Sequence, residues 1–281
     1  MNYLITPMSI MLLLLSHVAY AAEPDAAAIM KKVYQAPRVS DQVATLSFSF
    51  IQPGEEAQHA AYTMVWKDMK GKDGYDNKAI FFTESPPARQ GIAYLGWLHP
   101  IGSTEKNDEW IYLPELGMTR RIVPRDNEGS NDEDEFAASL LTHEHLEPRP
   151  PQLDHHSLLE EKLFNDRPHY LIDSRPAHHS HGGHHNHGGS VAPTRRVSWV
   201  DKEGMRISRI QFYGADDKMQ LDMKIEWQQQ KDFWLWKRVE AVVPDTQAST
   251  VLEVTDVEIN AGLNERLFHK RSLDKGSARF R

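Results

Sequence analysis

The sequence of 281 residues contains no cysteine. That excludes a disulfide scaffold, a thiolate zinc site, a thiol nucleophile and a lipid anchor on a cysteine. Basic residues are not in excess either. The chain has 32 Lys and Arg against 40 Asp and Glu, a formal net charge of −8. Nucleic acid is therefore not expected as a partner, because phosphates recruit a surplus of Lys and Arg. No apolar run reaches the roughly 20 residues that a bilayer-spanning helix needs. Catalytic signatures are missing too: there is no G-x-S-x-G elbow, no P-loop and no dinucleotide fingerprint. His143-Glu144-His145 is not the zincin pattern, since His residues two apart do not share a helix face. No enzyme is expected. What is present is a 40% hydrophobic share, enough to build a core and to exclude a disordered chain.

The first residues read as an address. Met8–Val18 is an apolar run, and Ala19-Tyr20-Ala21 follows it with the small-x-small pattern of a signal-peptide cleavage site. Residues 1–21 are read as a signal peptide, with cleavage after Ala21 or Ala22. Residues 22–281 are read as one exported domain, soluble in the periplasm. No Cys sits beside the cleavage site, so the product is not expected to be a lipoprotein itself.

The mature chain alternates. Asp25 caps an expected helix in which Ile29, Met30 and Val33 recur at helical spacing, and Pro37 closes it. Period two then takes over. Leu46, Phe48 and Phe50 alternate with Ser47 and Ser49, and Tyr62, Met64 and Trp66 with their neighbours. From Met219 to Trp227 one face is wholly apolar and the other wholly polar, the pattern of a half-buried strand. Further strands are expected at 78–83, 92–97, 110–113, 169–172, 195–199, 205–213, 233–243 and 251–259. Ile207 and Ile210 lie on opposite parities, as do Val254 and Val257. Such phase switches predict β-bulges in a strongly curved antiparallel sheet. The seven Trp and the apolar strand faces need cover, and the sequence offers one convincing long helix. A packed core and an apolar ligand cavity stay equally open on these grounds.

Two polar stretches stand apart. His178–Gly189 reads HHSHGGHHNHGG, an insertion at about 177–190 expected as a solvated loop. Its imidazoles, His178, His179, His181, His184, His185 and His187, are the candidate metal ligands, with Zn²⁺ as the ion they would take. No cofactor is required by anything else in the chain. Arg120, Arg121 and Arg125 precede an acidic run, Asp132–Glu135. They are read as solvated surface, as contacts to anionic headgroups, or as part of a docking rim for a partner.

The order of these pieces resembles the outer-membrane lipoprotein-sorting family, the LolA-like group, in the branch found beside RND/MMPL-type permeases. The resemblance is carried by Lys70-Gly71-Lys72-Asp73-Gly74 after a Trp-bearing strand, by Phe81–Pro87 and by Gln90–Leu95. It continues in Asp108–Leu116 followed by Arg120-Arg121-Ile122, in Trp199–Gly204, in Gln211-Phe212-Tyr213 and in the Val254–Ile259 strand with the Asn264–Leu267 turn. The segment WIYLPEL with RRI behind it is the most specific part. The resemblance implies a mainly β fold, a half-barrel of antiparallel strands closed by a few helices around an apolar cavity. It implies a periplasmic carrier of a lipid or lipoprotein acyl chain, working with an inner-membrane RND/MMPL-type permease and touching the membrane only peripherally. The faces bearing Phe48, Trp66, Phe81, Trp110, Phe212, Leu221, Met223 and Trp227 are expected to line that cavity. The rival reading is a periplasmic zinc-binding protein acting through its His-rich loop.

Overall fold

Period-two patterning demands strands, and thirteen form among the described residues. The structure is a computed structural model that describes residues 24–123, 140, 141, 145, 147–177 and 193–280. One helix comes first, α1 (Ala26–Tyr34). It starts where the Asp25 carboxylate accepts a hydrogen bond from the Ala27 N–H at 3.0 Å, satisfying one of the donors a helix start leaves open. The strands are β1 (Asp41–Ile51), β2 (Gln58–Asp68), β3 (Asn77–Ser85), β4 (Ala93–Leu98), β5 (Asp108–Leu113), β6 (Met118–Ile122) and β7 (Asp154–Phe164), then β8 (Arg167–Pro176), β9 (Arg195–Asp201), β10 (Ile207–Tyr213), β11 (Met219–Gln230), β12 (Phe233–Val242) and β13 (Ser249–Ile259).

All thirteen belong to one antiparallel sheet, in the order β6-β5-β4-β3-β2-β1-β13-β12-β11-β10-β9-β8-β7. Every neighbour is a neighbour in sequence except at the centre, where β1 pairs with β13. The consecutive strands β6 and β7 therefore occupy opposite edges, and the sheet is open. The residue pattern predicts neither of them. The face alternation of β7 is interrupted by a register shift between Leu158 and Glu160.

Both expected phase switches are bulges. The β10 register shifts between Ile207 and Arg209. On β13 the partners jump from Thr255 to Glu258 opposite Val43 and Thr45. Each bulge turns two residues of opposite parity to one side, so Ile207 and Ile210, like Val254 and Val257, pack against the same apolar cluster.

The sheet is strongly curved. Laid flat, the eleven spacings from β5 to β7 would hold those strands about 50 Å apart, at about 4.8 Å each. Yet Leu153, the residue before β7, lies on Gly102, in the loop between β4 and β5. α1 packs on the inner side of this curve, against Ile172, Val200 and Tyr170.

The outer side is covered over β3–β5 by the C-terminal stretch, which winds through three short 3-10 turns, 265–267, 270–275 and 278–280. Phe268, Leu273 and Phe280 bury Val65, Ile80, Phe82, Leu95 and Trp110. A charge cluster pins this stretch down. Glu265 pairs with Lys78 at 2.9 Å and with Lys72 at 2.5 Å. The Lys78 ammonium, on a side chain 6% exposed, also stands 4.2 Å from the Trp97 ring centroid. Hydrogen bonds from both lysines pull the Glu265 carboxyl down to about 2.

Replacing Glu265 by Gln should destabilise the protein by about 1–3 kcal/mol at pH 7, because Lys78 keeps its burial and loses its counter-charge. A depressed carboxyl contributes fully above its ordinary value of 4.5 and loses the contribution as pH falls through about 2. The gap in Tm between parent and Glu265→Gln, read by circular dichroism, should therefore narrow from pH 5 to pH 2. A gap that does not change with pH would show that the pairing stabilises nothing.

Candidate functional site

Direct cross-strand partners share a face of the sheet. Ile172, Ser198, Ile210, Met223, Ala241, Thr250 and Phe50 form one continuous row of such partners across seven strands. A second row runs through Val239, Leu252, Phe48 and Ala60. The row that holds Ile172 is covered at that end by α1, so both rows lie on the inner side. The inner face they build is apolar over most of its width and gathers into one buried cluster.

Seven of the eight residues expected to line a cavity meet here. Phe48, Phe81, Phe212, Leu221 and Met223 are buried in the cluster, and Trp66 and Trp227 pack half-buried against it. Trp110 does not join them. It pairs with Leu95 and Arg121 and lies on the outer side, under the C-terminal stretch. Its neighbour Ile111, opposite Tyr94, takes the inner position instead. Period two separates the two faces of a strand without saying which faces in, and on β5 both faces are covered. Tyr62, Ile225 and Val254 also belong to the cluster. Their alternation with Trp66, Met223 and Leu252 is the signal that could have named them.

Arg120 and Arg121 do not form one docking patch, because adjacent strand residues point to opposite faces. Arg120 stands opposite inner Ile111, whereas Arg121 stands opposite outer Trp110. Arg121 donates to Asp108 at 2.5 Å, and the same carboxylate accepts from the Tyr75 hydroxyl at 2.8 Å. Burial first, and Asp108 next, push the Tyr75 phenol up to about 12. A polar groove of about 780 Å³ lies alongside, lined by Tyr75, His99, Ser103, Asp108 and Arg121 among others. Arg125 and the six candidate metal ligands, His178, His179, His181, His184, His185 and His187, lie outside the described residues.

The inner face is closed rather than hollow. Met223 and Phe48 are each 1% exposed. Leu141 is buried in the cluster, and Leu140 packs on it while its N–H donates to Thr250 Oγ1 at 3.0 Å. The His145 ring meets the Phe212 ring edge-on at 4.8 Å. Burial, then the Arg196 charge, lower the His145 imidazole to about 4, so it stays neutral at pH 7. Arg196 stands opposite Phe212 and binds Asp154 at 2.6 Å, and Arg149 binds the same carboxylate at 3.0 Å. Among the described residues the inner side thus has an apolar floor, the covering side chains of Leu140, Leu141 and His145, and a buried ionic cluster at one end. No helix among the described residues is long and apolar enough to cross a membrane.

A family model described as "-like: Uncharacterized protein" matches residues 75–275, well over half of the chain. The chain belongs to this family. Comparison with curated proteins found no match. Among solved structures the chain is similar to an outer membrane lipoprotein-sorting protein domain from Vibrio parahaemolyticus. The two are 21% identical over 89% of this chain and 98% of that one, with a TM-score of 0.70. It is similar to a DUF1329 family protein from Desulfovibrio piger, 20% identical over 88% and 97% of the two chains, with a TM-score of 0.72. It is similar again to a LolA superfamily protein from Nitrosomonas europaea, 13% identical over 88% and 98%, with a TM-score of 0.58. The family member described here therefore has the LolA-like fold, as the order of its motifs implies.

The Asp154 cluster carries a stability prediction. Its side chain is 3% exposed and faces two guanidiniums. Asp154→Asn should cost about 3–5 kcal/mol, because it leaves buried positive charge without its carboxylate. Glu253→Gln, which breaks an exposed pair with Arg238, should cost about 0–1 kcal/mol. Chemical denaturation of both variants checks the contrast. Equal small losses would mean that the Asp154 cluster is no more than surface charge.

Proposed function

We infer that the protein is a periplasmic carrier that holds an acyl chain of a lipid or lipoprotein on the inner face of a half-barrel and passes it to or from a membrane permease of the RND/MMPL type. The observation that carries this reading is the inner face itself. It presents side chains of both halves of the sheet as one apolar floor, from Phe81 on β3 to Phe212 on β10, and among the described residues Leu140, Leu141 and the His145 ring lie over it, with no second sheet. A floor of that kind can exchange its cover for a ligand. The exchange is energetically reasonable. Each buried CH₂ contributes ~0.8 kcal/mol, so a C16 chain gains on the order of 12 kcal/mol before entropy losses. Displacing Leu140, Leu141 and the His145 ring offsets part of that gain, which suits a carrier that must also let go. Loss of residues 1–21 on export would leave the carrier free of the membrane, so loading and delivery would occur by docking. The likeness in fold to an outer membrane lipoprotein-sorting protein domain supports the same reading.

A fluorescent fatty acid tests it. Met223→Arg puts a charge in the middle of the inner floor and should weaken binding at least tenfold while the far-ultraviolet circular dichroism is kept. Trp110→Ala removes an outer-side aromatic and should lower Tm without changing affinity. If Met223→Arg unfolds the sheet, Ala241→Phe replaces it as a bulk-only block of the same row. Parent-like binding by the inner-face variants, or equal loss in Trp110→Ala, would remove the inner face as the ligand site.

A further inference from the structure

Residues 147–153 strap the two ends of the open sheet together across its inner side. At one end the Glu147 carboxyl accepts a hydrogen bond from Asn77 Nδ2 at 3.0 Å. Asn77 starts β3 on the same face as Ala79 and Phe81, the inner one. At the other end the turn Pro151–Leu153 lies against α1. Leu153 sits so close to Gly102, at φ +88°, that a Cβ there would stand 2.7 Å from its Cδ1. The chain then enters β7, where Asp154 is fixed by Arg149 and Arg196. The strap thus links β3 and the β4–β5 loop to the far edge strand.

The Glu147–Asn77 contact is half made. The Asn77 side chain is buried, and its Oδ1 has no hydrogen-bond partner among the described residues. A buried acceptor without a donor is costly. A carboxylate has no proton to offer it, whereas a carboxylic acid has one. We propose that Glu147 closes the strap as a neutral acid, its free oxygen donating O–H to Asn77 Oδ1 while the other accepts from Nδ2, and that ionisation of Glu147 frees the strap and lets ligand reach the inner face. The last clause rests on the carrier reading above and adds a regulator to that site.

The surroundings favour the neutral acid. Burial is the main cause and Asp76 the next. Arg38 and the Asn77 hydrogen bond oppose them, Asp68 adds a little, and the result is a carboxyl raised to about 7. The charged groups facing it are Asp76 before β3, Asp68 at the end of β2 and Arg38 between α1 and β1, with Arg38 paired to Asp76 at 3.8 Å. A raised carboxyl contributes fully below its ordinary value of 4.5, and the contribution disappears as pH climbs through about 7. The strap is therefore tight in acid and loose in mild alkali.

Amide hydrogen exchange at Glu147, Arg149, Gln152 and Leu153, the strap residues that are not proline, in the purified protein without ligand, tests the latch. Protection factors, corrected for the intrinsic rate, should fall roughly tenfold between pH 6 and pH 8, the equivalent of one pKa unit. Glu147→Gln should keep high protection at both values, since its amide both donates and accepts. Asn77→Ala should show low protection at both, and if it does not fold Glu147→Gln decides alone. Uptake of the neutral probe N-phenyl-1-naphthylamine should accelerate several-fold over the same range in the parent and not in the variants. No protection step in the parent, or a parent-like step in Glu147→Gln, overturns the latch. A protection step without probe uptake by any of the three proteins overturns the carrier reading and leaves the latch standing.

Discussion

The pairing of β1 with β13 is the constraint from which the rest of the molecule follows. It sends β2–β6 out to one side and β12–β7 out to the other. It also places two strands consecutive in the chain at opposite edges of one sheet. The stretch between them joins the two edges, and its described residues Leu140, Leu141, His145 and Glu147 lie on the inner side. Cover and floor are thus consequences of one topological choice.

The two faces of the sheet are treated differently. Outside, charge is balanced locally: Arg209 clasps Asp222 with two hydrogen bonds of 2.7 Å, Arg195 holds Asp173 and Asp217, and Arg167 holds Asp201. Arg209 also lies over Trp199, so an aromatic ring on that side is capped by a cation. Asp222, Asp173 and Asp201 in these pairs are largely buried, so breaking them costs more than breaking an exposed surface pair. Inside, polar groups are few and each has a placed partner or a stake in the closure. The Trp227 N–H donates to the Ile207 carbonyl at 2.8 Å at the bulge, where an uninterrupted ladder would leave that carbonyl engaged elsewhere.

Much of this was legible in the residues. The β11 alternation named both its strand and its inner face, and the broken parities at Ile207/Ile210 and Val254/Val257 located two bulges. What stayed hidden has physical causes. Trp110 could not be assigned a side because its strand is covered on both. The C-terminal cover escaped because 3-10 turns carry neither the 3.6 nor the 2.0 period that reveals regular elements. Inside, packed core and ligand cavity stayed equally open because no periodicity marks Leu140, Leu141 and His145 as residues that lie over the floor. Glu147 and Asn77 are 70 residues apart, and no spacing rule joins them.

The central seam also sets an order of assembly. The pairs within β2–β6 and within β7–β12 join strands consecutive in sequence, with the longest connection between Pro176 of β8 and Arg195 of β9, whereas Ser49 meets Val251 across some two hundred residues of intervening chain. Local pairs form quickly and distant ones wait on loop closure. The two arms can therefore fold as separate meanders, each with a bare edge, before β1 and β13 zip together. Until that seam closes there is no continuous inner floor, since Phe48 and Leu252 belong to different arms. A chain without β13 would then expose two apolar sheets with bare edges, so assembly of the inner face is bound to arrival of the last strand.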